Sequence, residues 1–405
     1  MSDAQGPARS GPLTALRVLD LGTMVAGPVA ATLMGDFGAD VIKIEQPGVG
    51  DTIRGLGPFV NEEGLWWTVE GRNKRSITLD LRQEAGQDLL KRLVADADVL
   101  VENFRPGTLE RWGLDYEALA RVNPGLVMLS VSGFGQTGPN AQRAGYDRIA
   151  LAFSGVMDMT GFPDRPPVRV GVSVADYSTA TMGAFAVMMA LYHRDTGGGR
   201  GQHIDLALYE SMFRFTDSMC AAYDRLGMVR KRTGNVHQAA APGKTFPTRD
   251  GRYIILTISG DTLFRRLMQA IDRPDLGEDP GLATHEQRWR RIEELNQVVE
   301  DWIAARPVDA VGQALDRHGI PFSLVLSVED IFRDPHYAAR GNLVTTQHPR
   351  MGPVTMQGIV PRLSGTPGEI ACAAPSLGQH NAEVYGGLLG LDDTALAALQ
   401  ERAVI

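Results

Sequence analysis

Asp176 is the side chain best placed to do chemistry, because it lies between two apolar stretches. Before it, Val170, Val172 and Val174 alternate with small residues, as in a half-buried strand. After it, apolar residues recur at helical spacing over 177–192. The sequence therefore predicts a strand, then Asp176, then a long buried helix.

Two interpretations of Asp176 follow from this position. The carboxylate can cap the helix by accepting its first free backbone N–H groups, which is a structural role. Alternatively, it is a reactive carboxylate that the helix N-terminus keeps ionised, with the same N–H groups available to stabilise an oxyanion. The spacing alone is compatible with both.

Basic residues gather near the ends of predicted strands. Scattered arginines usually form a solvated surface, but at strand ends several of them can converge on phosphate groups. The residues are Arg72, Lys74, Arg75, Arg82, Arg105 and Arg111.

Familiar catalytic and metal-binding motifs are absent from the sequence. The eight histidines are scattered, and the two cysteines, Cys220 and Cys372, do not have the spacing of metal ligands. There is no G-x-S-x-G turn, no P-loop and no complete G-x-G-x-x-G fingerprint. A metal site, a serine hydrolase and a typical dinucleotide site are therefore not indicated.

Composition limits the class of protein. The 405 residues suggest two or three domains, and the formal net charge of -8 argues against nucleic acid as the main partner. Few cysteines suit a reducing cytoplasm. The first residues lack the apolar core of a signal peptide, and 177–192 is too short and polar for a membrane span, so we expect no membrane association.

Strands and helices alternate from Leu16 onward, which predicts parallel strands in a doubly wound α/β domain. Such sheets bind ligands at the carboxyl ends of their strands. Three segments with unusual chemistry fall at such ends, and the long connection 46–74 contains two adjacent tryptophans, which argues for a functional loop. The three segments are 22–28, 102–107 and 132–139.

Several runs of sequence together resemble the family III coenzyme A transferases, a group that includes formyl-CoA transferase and the carnitine CoA-transferases. The resemblance covers nearly the whole chain and is most specific over 16–215. The runs that carry it include LRVLDLGTMVAGPVAATLMGDFGADVIKIEQPGVGD, GRNKRSITLDLRQEAG, ADVLVENFRPGTLERWGLDYEAL, GYDRIALAFSGVMDMTG, VADYSTATMGAFAVMMALYHRDTGGGRGQHIDLALYESM and GIPFSLVLSVEDIFRDPHY.

The resemblance implies an α/β fold with a Rossmann-like, doubly wound large domain and a smaller α/β domain, in an interlocked homodimer. Combined with the element pattern, it predicts five parts of the chain. These are a flexible arm (1–15), the large CoA-binding domain (16–221), a linker (222–245), the small domain (246–332) and a return segment that completes the large domain (333–405).

The resemblance also assigns roles to residues. It implies that Asp176 is the nucleophile, which attacks an acyl-CoA thioester to give a mixed anhydride and then an aspartyl-CoA thioester. No permanently bound cofactor is implied, since CoA and acyl-CoA are substrates together with a carboxylic acid. The residues matched to CoA-binding or active-site positions are Val25, Ala26, Leu79, Arg82, Asn103, Phe104, Arg111 and Tyr146.

The sequence departs from formyl-CoA transferase in ways that bear on the acid. Val25 replaces a glutamine, Ala144 replaces a basic residue, and the glycine-rich loop has no counterpart, so formate or oxalate is not implied. Arg143, Arg148 and Arg169 lie near the predicted site and would suit a second carboxylate. We therefore expect a short dicarboxylic acid as acceptor, with succinyl-CoA as a plausible donor.

Two alternatives remain from the sequence. The same fold hosts α-methylacyl-CoA racemases, whose His-Asp pair would fall at Tyr146 and Asp147; tyrosine is a poor base near neutral pH, which favours transfer. A non-catalytic acyl-CoA binding protein is the other alternative, because a helix cap at Asp176 would look the same.

Overall fold

The computed structural model describes residues 10–237 and 239–405. The chain divides into two compact units. The large unit comprises the described residues through Val156, together with Arg169–Met228 and Ala339–Ile405; the small unit comprises Met157–Val168 and Val229–Ala338. The small unit thus includes 157–168, which the predicted division had placed in the large domain.

The described strands are β1 (Arg17–Asp20), β2 (Asp40–Glu45), β3 (Phe59–Val60), β4 (Glu63–Gly64), β5 (Lys74–Thr78), β6 (Val99–Glu102), β7 (Val127–Ser132), β8 (His203–Ala207), β9 (Thr245–Pro247), β10 (Tyr253–Leu256), β11 (Phe322–Leu324), β12 (Leu343–His348) and β13 (Gly352–Gln357).

The described α-helices are α1 (Ala26–Asp36), α2 (Leu65–Glu70), α3 (Glu84–Val94), α4 (Thr108–Arg111), α5 (Tyr116–Val122), α6 (Asp147–Phe153), α7 (Val174–Gly197), α8 (Leu208–Arg214), α9 (Met219–Leu226), α10 (Asp261–Ala270), α11 (Pro274–Gly277), α12 (His285–Arg290), α13 (Ile292–Ala304), α14 (Val308–Arg317), α15 (Val328–Arg333), α16 (Pro335–Ala339), α17 (Asn381–Leu389) and α18 (Asp393–Glu401). Short 3-10 helices span Thr52–Gly55 and Pro280–Leu282.

A six-stranded parallel sheet forms the centre of the large unit, in the order β5-β2-β1-β6-β7-β8. This is the Rossmann order, and it confirms the predicted α/β class. The chain leaves β1 toward one edge and returns at β6 toward the other, so a crevice opens beyond the carboxyl ends of β1 and β6. The sheet therefore positions a ligand site where the turn after β1 meets the turn after β6.

Both faces of the sheet are buried against helices. Leu19 and Leu100 belong to an apolar cluster that includes Leu90 and Leu93 of α3. The long helix α7 approaches the sheet closely, because a Cβ added at Gly183 would lie 2.8 Å from Leu129 Cδ2 of β7. Strands covered on both faces explain the nearly continuous apolar runs that marked them in the sequence.

The strand predicted before Asp176 is wrong. Residues from Arg169 to Ser173 form no strand, and Val170 and Val172 are exposed. Alternation of apolar and small residues predicts a strand only where a neighbouring strand can pair with the backbone and a core can bury the apolar side chains. Neither is present at this segment. The helix instead begins at Val174, two residues before Asp176.

The predicted flexible arm is corrected over its described part, since residues 1–9 lie outside the described residues. Leu13 N donates to Phe37 O at 3.0 Å, and Ser10 Oγ donates to Glu369 Oε2 at 2.8 Å. These bonds hold residues 10–15 against the large unit. Part of the predicted linker is also helical, because α9 extends to Leu226.

The small unit contains an antiparallel sheet in the order β11-β10-β9. Its core is formed by apolar side chains of β9, β10 and the surrounding helices, among them Phe246, Ile254, Phe264 and Val299.

Of the described helices, only α7 is long and apolar enough to cross a membrane by length and composition. Its Ala180, Gly183 and Val187 are buried within the large unit.

Candidate active site

The turn after β1 forms one wall of the crevice, and side chains from distant segments fix it. Asn103, just past β6, accepts a hydrogen bond from Thr23 N at 2.8 Å and donates to Thr23 O at 2.7 Å. Met24 has a φ of 65°, which is rare for a residue with a side chain. Its N–H donates to Asp51 Oδ1 at 2.9 Å. Asn103 and Asp51 therefore hold Val25 and Ala26 at the start of α1 in place.

A buried ion network lies beneath this turn. Lys43 Nζ lies 2.9 Å from Asp51 Oδ2, and Lys74 Nζ lies 2.8 Å from Asp20 Oδ2. Burial lowers the pKa of Lys43, but the carboxylates of Asp20, Asp51 and Glu45 raise it by more, so the net pKa lies above its usual value. Both lysines are thus occupied within the protein and stabilise the turn.

Two adjoining cavities lie along the crevice. The larger has a volume of about 470 Å³ and includes Asp176, Tyr146 and Arg143 in its wall. The smaller has a volume of about 230 Å³ and includes Leu79 and Arg82. Both are also lined by Thr23, Thr52 and Phe104, so they form one elongated site with Asp176 toward one end and Arg82 toward the other.

Asp176 is not the cap of its helix. The N-cap position is Ser173, and Asp176 is the third residue of α7. Asp147, the first residue of α6, does the capping: its Oδ1 accepts from Ala175 N at 2.7 Å and from Asp176 N at 3.4 Å. These N–H groups are therefore occupied, and the expectation that they stabilise an oxyanion is corrected.

Burial, and to a smaller extent the negative charge of Asp147, together raise the pKa of Asp176 to about 7. Among the described residues, no cation forms a salt bridge with Asp176. The carboxylate of Asp176 is consequently a stronger base than that of an ordinary aspartic acid. A basic carboxylate facing a cavity is suited to act as a nucleophile or a base.

The structure brings most of the predicted site residues together. Val25, Ala26, Asn103, Phe104 and Tyr146 line the larger cavity with Asp176. Leu79 and Arg82 line the smaller cavity, which Phe104 also borders.

Arg111 lies outside both cavities: it is exposed in α4, where its Nη2 donates to Thr108 Oγ1 at 3.1 Å. Its predicted role in holding CoA therefore has no support from the lining of the crevice.

The expectation that the basic residues converge on phosphates is wrong for three of them. Arg72 forms a bidentate pair with Asp36, Lys74 pairs with Asp20, and Arg75 pairs with Asp40 and Glu383. A cation near a strand end often neutralises a buried carboxylate, and the sequence cannot reveal that partner.

Two other arginines of the set line the crevice. Arg105 borders the larger cavity, and its guanidinium forms no hydrogen bond or salt bridge with another described residue. Arg82 is paired with Asp80, yet its side chain remains largely exposed at the smaller cavity.

Of the three arginines considered for the acid, only Arg143 lines the cavity that contains Asp176. Its guanidinium lies over the Phe134 ring, 5.2 Å from the ring centroid, and donates to Asn140 Oδ1 at 3.2 Å. No described carboxylate neutralises it. Arg148 and Arg169 are exposed and are absent from the walls of both cavities.

Sequence reasoning gave Asp147 no role except in the racemase alternative, although it caps α7 and faces Asp176. The two bonded residues are 28 positions apart, so no local spacing rule could reveal the contact. The described residues contain no group of three or more His, Cys, Asp or Glu side chains arranged to hold a metal ion.

Comparison with known proteins agrees with this geometry. Residues 13–381 match the model of CoA-transferase family III. The chain is 44% identical, over 99% of its length and 100% of the relative's, to succinyl-CoA–D-citramalate CoA-transferase of Chloroflexus aurantiacus. It is 41% identical to the beta subunit of succinyl-CoA–L-malate CoA-transferase from the same organism, over 97% and 98% of the two chains.

A solved structure shows the same fold. A CAIB/BAIF family protein from Brucella suis superposes with a TM-score of 0.84 at 36% identity, covering 94% of this chain and 100% of that one. The two relatives above are named as transferases of CoA from succinyl-CoA to an acid. This chain therefore belongs to the family III CoA-transferases and is an enzyme that moves CoA between an acyl-CoA and a carboxylic acid.

Proposed function

We propose that this enzyme transfers CoA from succinyl-CoA to a short dicarboxylic acid, with Asp176 as the covalent nucleophile. A single observation carries the proposal: one cavity wall contains both Asp176, a basic carboxylate without a cation partner, and Arg143, a cation without a carboxylate partner. The names of the two relatives above, whose acceptors D-citramalate and L-malate are dicarboxylic acids, support the same substrate class.

Asp176 begins the proposed reaction by attacking the thioester carbonyl carbon of succinyl-CoA. The C–S bond breaks, CoA leaves as a thiolate, and a mixed anhydride of Asp176 and succinate remains. The thiolate then attacks Cγ of Asp176, which releases succinate and leaves an aspartyl-CoA thioester. The acceptor carboxylate repeats these two exchanges in reverse, and Asp176 is regenerated.

Arg143 is proposed to bind the carboxylate that does not react. A dicarboxylic acid presents one carboxylate to Asp176 and leaves a second, negatively charged group to be accommodated in the cavity. A guanidinium can bind that group through two parallel hydrogen bonds. The contact with Phe134 and the hydrogen bond to Asn140 would hold Arg143 in place before the acid arrives.

CoA is proposed to lie along the crevice, with its pantetheine chain between Phe104 and the start of α1. Arg82 and Arg105 are the cations suited to its phosphate groups, because both border the crevice and neither is buried. Arg111 stays a predicted CoA residue, although it lies outside the cavity walls. CoA thioesters are substrates here, and we propose that no permanently bound cofactor takes part.

Racemisation is disfavoured by the contacts of Asp147. Its Oδ1 accepts backbone N–H groups of α7, so the carboxylate is engaged in capping. Tyr146 would have to supply the second base, and a phenol is a poor base near neutral pH.

We also propose an interlocked homodimer, which the resemblance implies. From composition and charge, we propose that it acts in the cytoplasm with no nucleic-acid or membrane partner. An exposed apolar stripe along α7, formed by Phe185, Met189 and Tyr192, supports burial against a second copy of the chain. Sedimentation of the purified enzyme would test the dimer, and a monomeric mass would contradict it.

An acid screen tests the proposed substrate class. Purified enzyme with succinyl-CoA is offered mono- and dicarboxylic acids, and formation of each new CoA thioester is followed by chromatography. We expect short dicarboxylic acids to be the best acceptors, and turnover with monocarboxylic acids alone would refute the proposal.

The nucleophile is tested separately. Asp176→Ala should abolish both CoA transfer and the covalent adduct on the enzyme that hydroxylamine traps.

Arg143→Ala tests the acid-binding role, with Arg148→Ala as the matched control. Arg148 lies on the neighbouring helix α6 and outside the cavity. Losing a charge-assisted hydrogen bond pair costs about 2–4 kcal/mol, so KM for the dicarboxylic acid should rise by about 30-fold or more in Arg143→Ala. An equal effect in both variants would contradict the assignment.

A further inference from the structure

The nucleophile and its neighbour face different cavities. Asp176 lines the crevice described above, whereas Tyr177 lines a second cavity of about 470 Å³ on the large unit, together with Trp66 and Glu70. The first turn of α7 therefore forms part of the wall of two open spaces. On the sides that face these cavities no packed atoms fix the helix end, so specific bonds contribute to its position.

Two such bonds converge on the hydroxyl group of Tyr177. It donates to Glu70 Oε1 at 2.8 Å and accepts from Trp66 Nε1 at 3.2 Å. Both partners belong to α2, so Tyr177 joins the nucleophile's helix to α2. On the other side of Asp176, the N–H of Ala175 is bonded to Asp147. The nucleophile thus lies between two anchored residues.

Glu70 is itself firmly placed. Its carboxylate is buried, and its backbone oxygen accepts from Thr32 Oγ1 of α1 at 2.7 Å. Arg72 lies near enough to stabilise the charge of Glu70, and it is bound in turn to Asp36 at the end of α1 through bonds of 2.9 and 2.6 Å. Burial raises the pKa of Glu70, while the Tyr177 hydroxyl and the Arg72 charge act to lower it.

We propose that Tyr177 and Glu70 are positioning residues for the transfer reaction, which hold the carboxylate of Asp176 at the attack distance. Neither side chain lines the crevice, so neither touches the substrates. They act through the first turn of α7. The proposal rests on the nucleophilic role of Asp176, and it adds that this role depends on a bond formed in a different cavity.

Tyr177→Phe tests the proposal, because it keeps the ring and removes only the hydroxyl. We expect kcat to fall by about 10- to 100-fold, the range produced by sub-ångström to 1 Å misplacement of a reacting group. KM for succinyl-CoA should change less than about twofold, because the crevice is untouched. Tyr223→Phe is the matched control: Tyr223 is on α9, is 63% exposed, lies outside both the crevice and the apolar stripe of α7, and should retain the parent kcat.

Substitution of Glu70 separates positioning from general loss of structure. Glu70→Gln retains an oxygen that accepts the Tyr177 hydroxyl, and it should keep most of the activity. Glu70→Ala removes the bond to Tyr177 but leaves the Trp66 bond, so its loss of kcat should be no greater than that of Tyr177→Phe. The double variant Tyr177→Phe/Glu70→Ala should be no slower than Tyr177→Phe, since the shared bond is already absent there. Rates are expressed per folded enzyme, measured by circular dichroism and thermal unfolding.

The outcomes are decisive in either direction. An unchanged kcat in Tyr177→Phe, a change in KM alone, additive losses in the double variant, or equal losses in Glu70→Gln and Glu70→Ala would each overturn the positioning role. Asp176→Ala is measured in parallel: if it remains active, the nucleophile assignment fails, whereas inactive Asp176→Ala with fully active Tyr177→Phe refutes only the positioning proposal.

Discussion

The acidity of Asp176 should control the pH dependence of transfer, and Asp147 should control that acidity. The nucleophile must be ionised, and burial together with the Asp147 charge raises the pKa of Asp176 to about 7. About a tenth of the enzyme is then active at pH 6 and about nine tenths at pH 8. The apparent kcat/KM for succinyl-CoA should therefore rise close to tenfold between these pH values and level off above.

Asp147→Asn is the informative perturbation. The amide oxygen can still accept the N–H of Ala175, so the cap is retained, but the negative charge is removed. The pKa of Asp176 should fall, which moves the rising limb of the profile to lower pH. Because burial is the larger cause of the shift, the pKa should remain above the ordinary value of 3.8.

The assay is a pH series of single-turnover reactions, in which formation of the acceptor's CoA thioester is followed by chromatography after rapid quenching. The circular dichroism of Asp147→Asn should match that of the parent, which controls for loss of the cap. A flat profile in the parent between pH 5.5 and 8.5, or a limb that moves to higher pH in Asp147→Asn, would refute the reasoning.

Three further predictions concern stability. The pKa of Asp176 is higher in the folded state than in the unfolded state, so its ionisation destabilises the fold as pH rises from about 4 through 7. In urea unfolding, the free energy of unfolding of Asp176→Asn should therefore exceed that of the parent by up to about 4 kcal/mol at pH 8 and by little at pH 4. Lys74→Met leaves Asp20 buried without its 2.8 Å partner and should cost about 3–5 kcal/mol, which chemical denaturation would measure. Gly183→Ala places a Cβ 2.8 Å from Leu129 Cδ2 and should destabilise the large unit by about 1–3 kcal/mol; an unchanged melting temperature would contradict this packing.

Much of the fold could be predicted from the sequence, because the signals were local. Apolar runs and intervening helical periods gave the parallel α/β sheet, and the three segments at strand ends do border the crevice. The segment 170–174 shows the limit of such patterns: alternation indicates a strand only when a neighbouring strand is available, and this segment has none.

The site was less accessible to sequence reasoning, because its decisive contacts join residues far apart in the chain. Asp147 bonds to Ala175, Glu70 bonds to Tyr177, and Lys74 finds its carboxylate in β1. The sequence shows the types of these residues but not their partners. For the same reason, Arg143 could not be distinguished from other nearby arginines until the cavity was known.

The capping of α7 by Asp147 has a consequence for how this enzyme could diversify. Arg143 lies four residues before Asp147, in the loop between β7 and α6, so the proposed acid contact and the anchor of the nucleophile share one short stretch of chain. Exchanging a side chain at position 143 would alter the accepted acid and leave the backbone in place. An insertion or deletion there would also displace Asp147 and, with it, the first turn of α7. New acceptor preferences should therefore evolve in duplicated copies by point substitution within a loop of constant length.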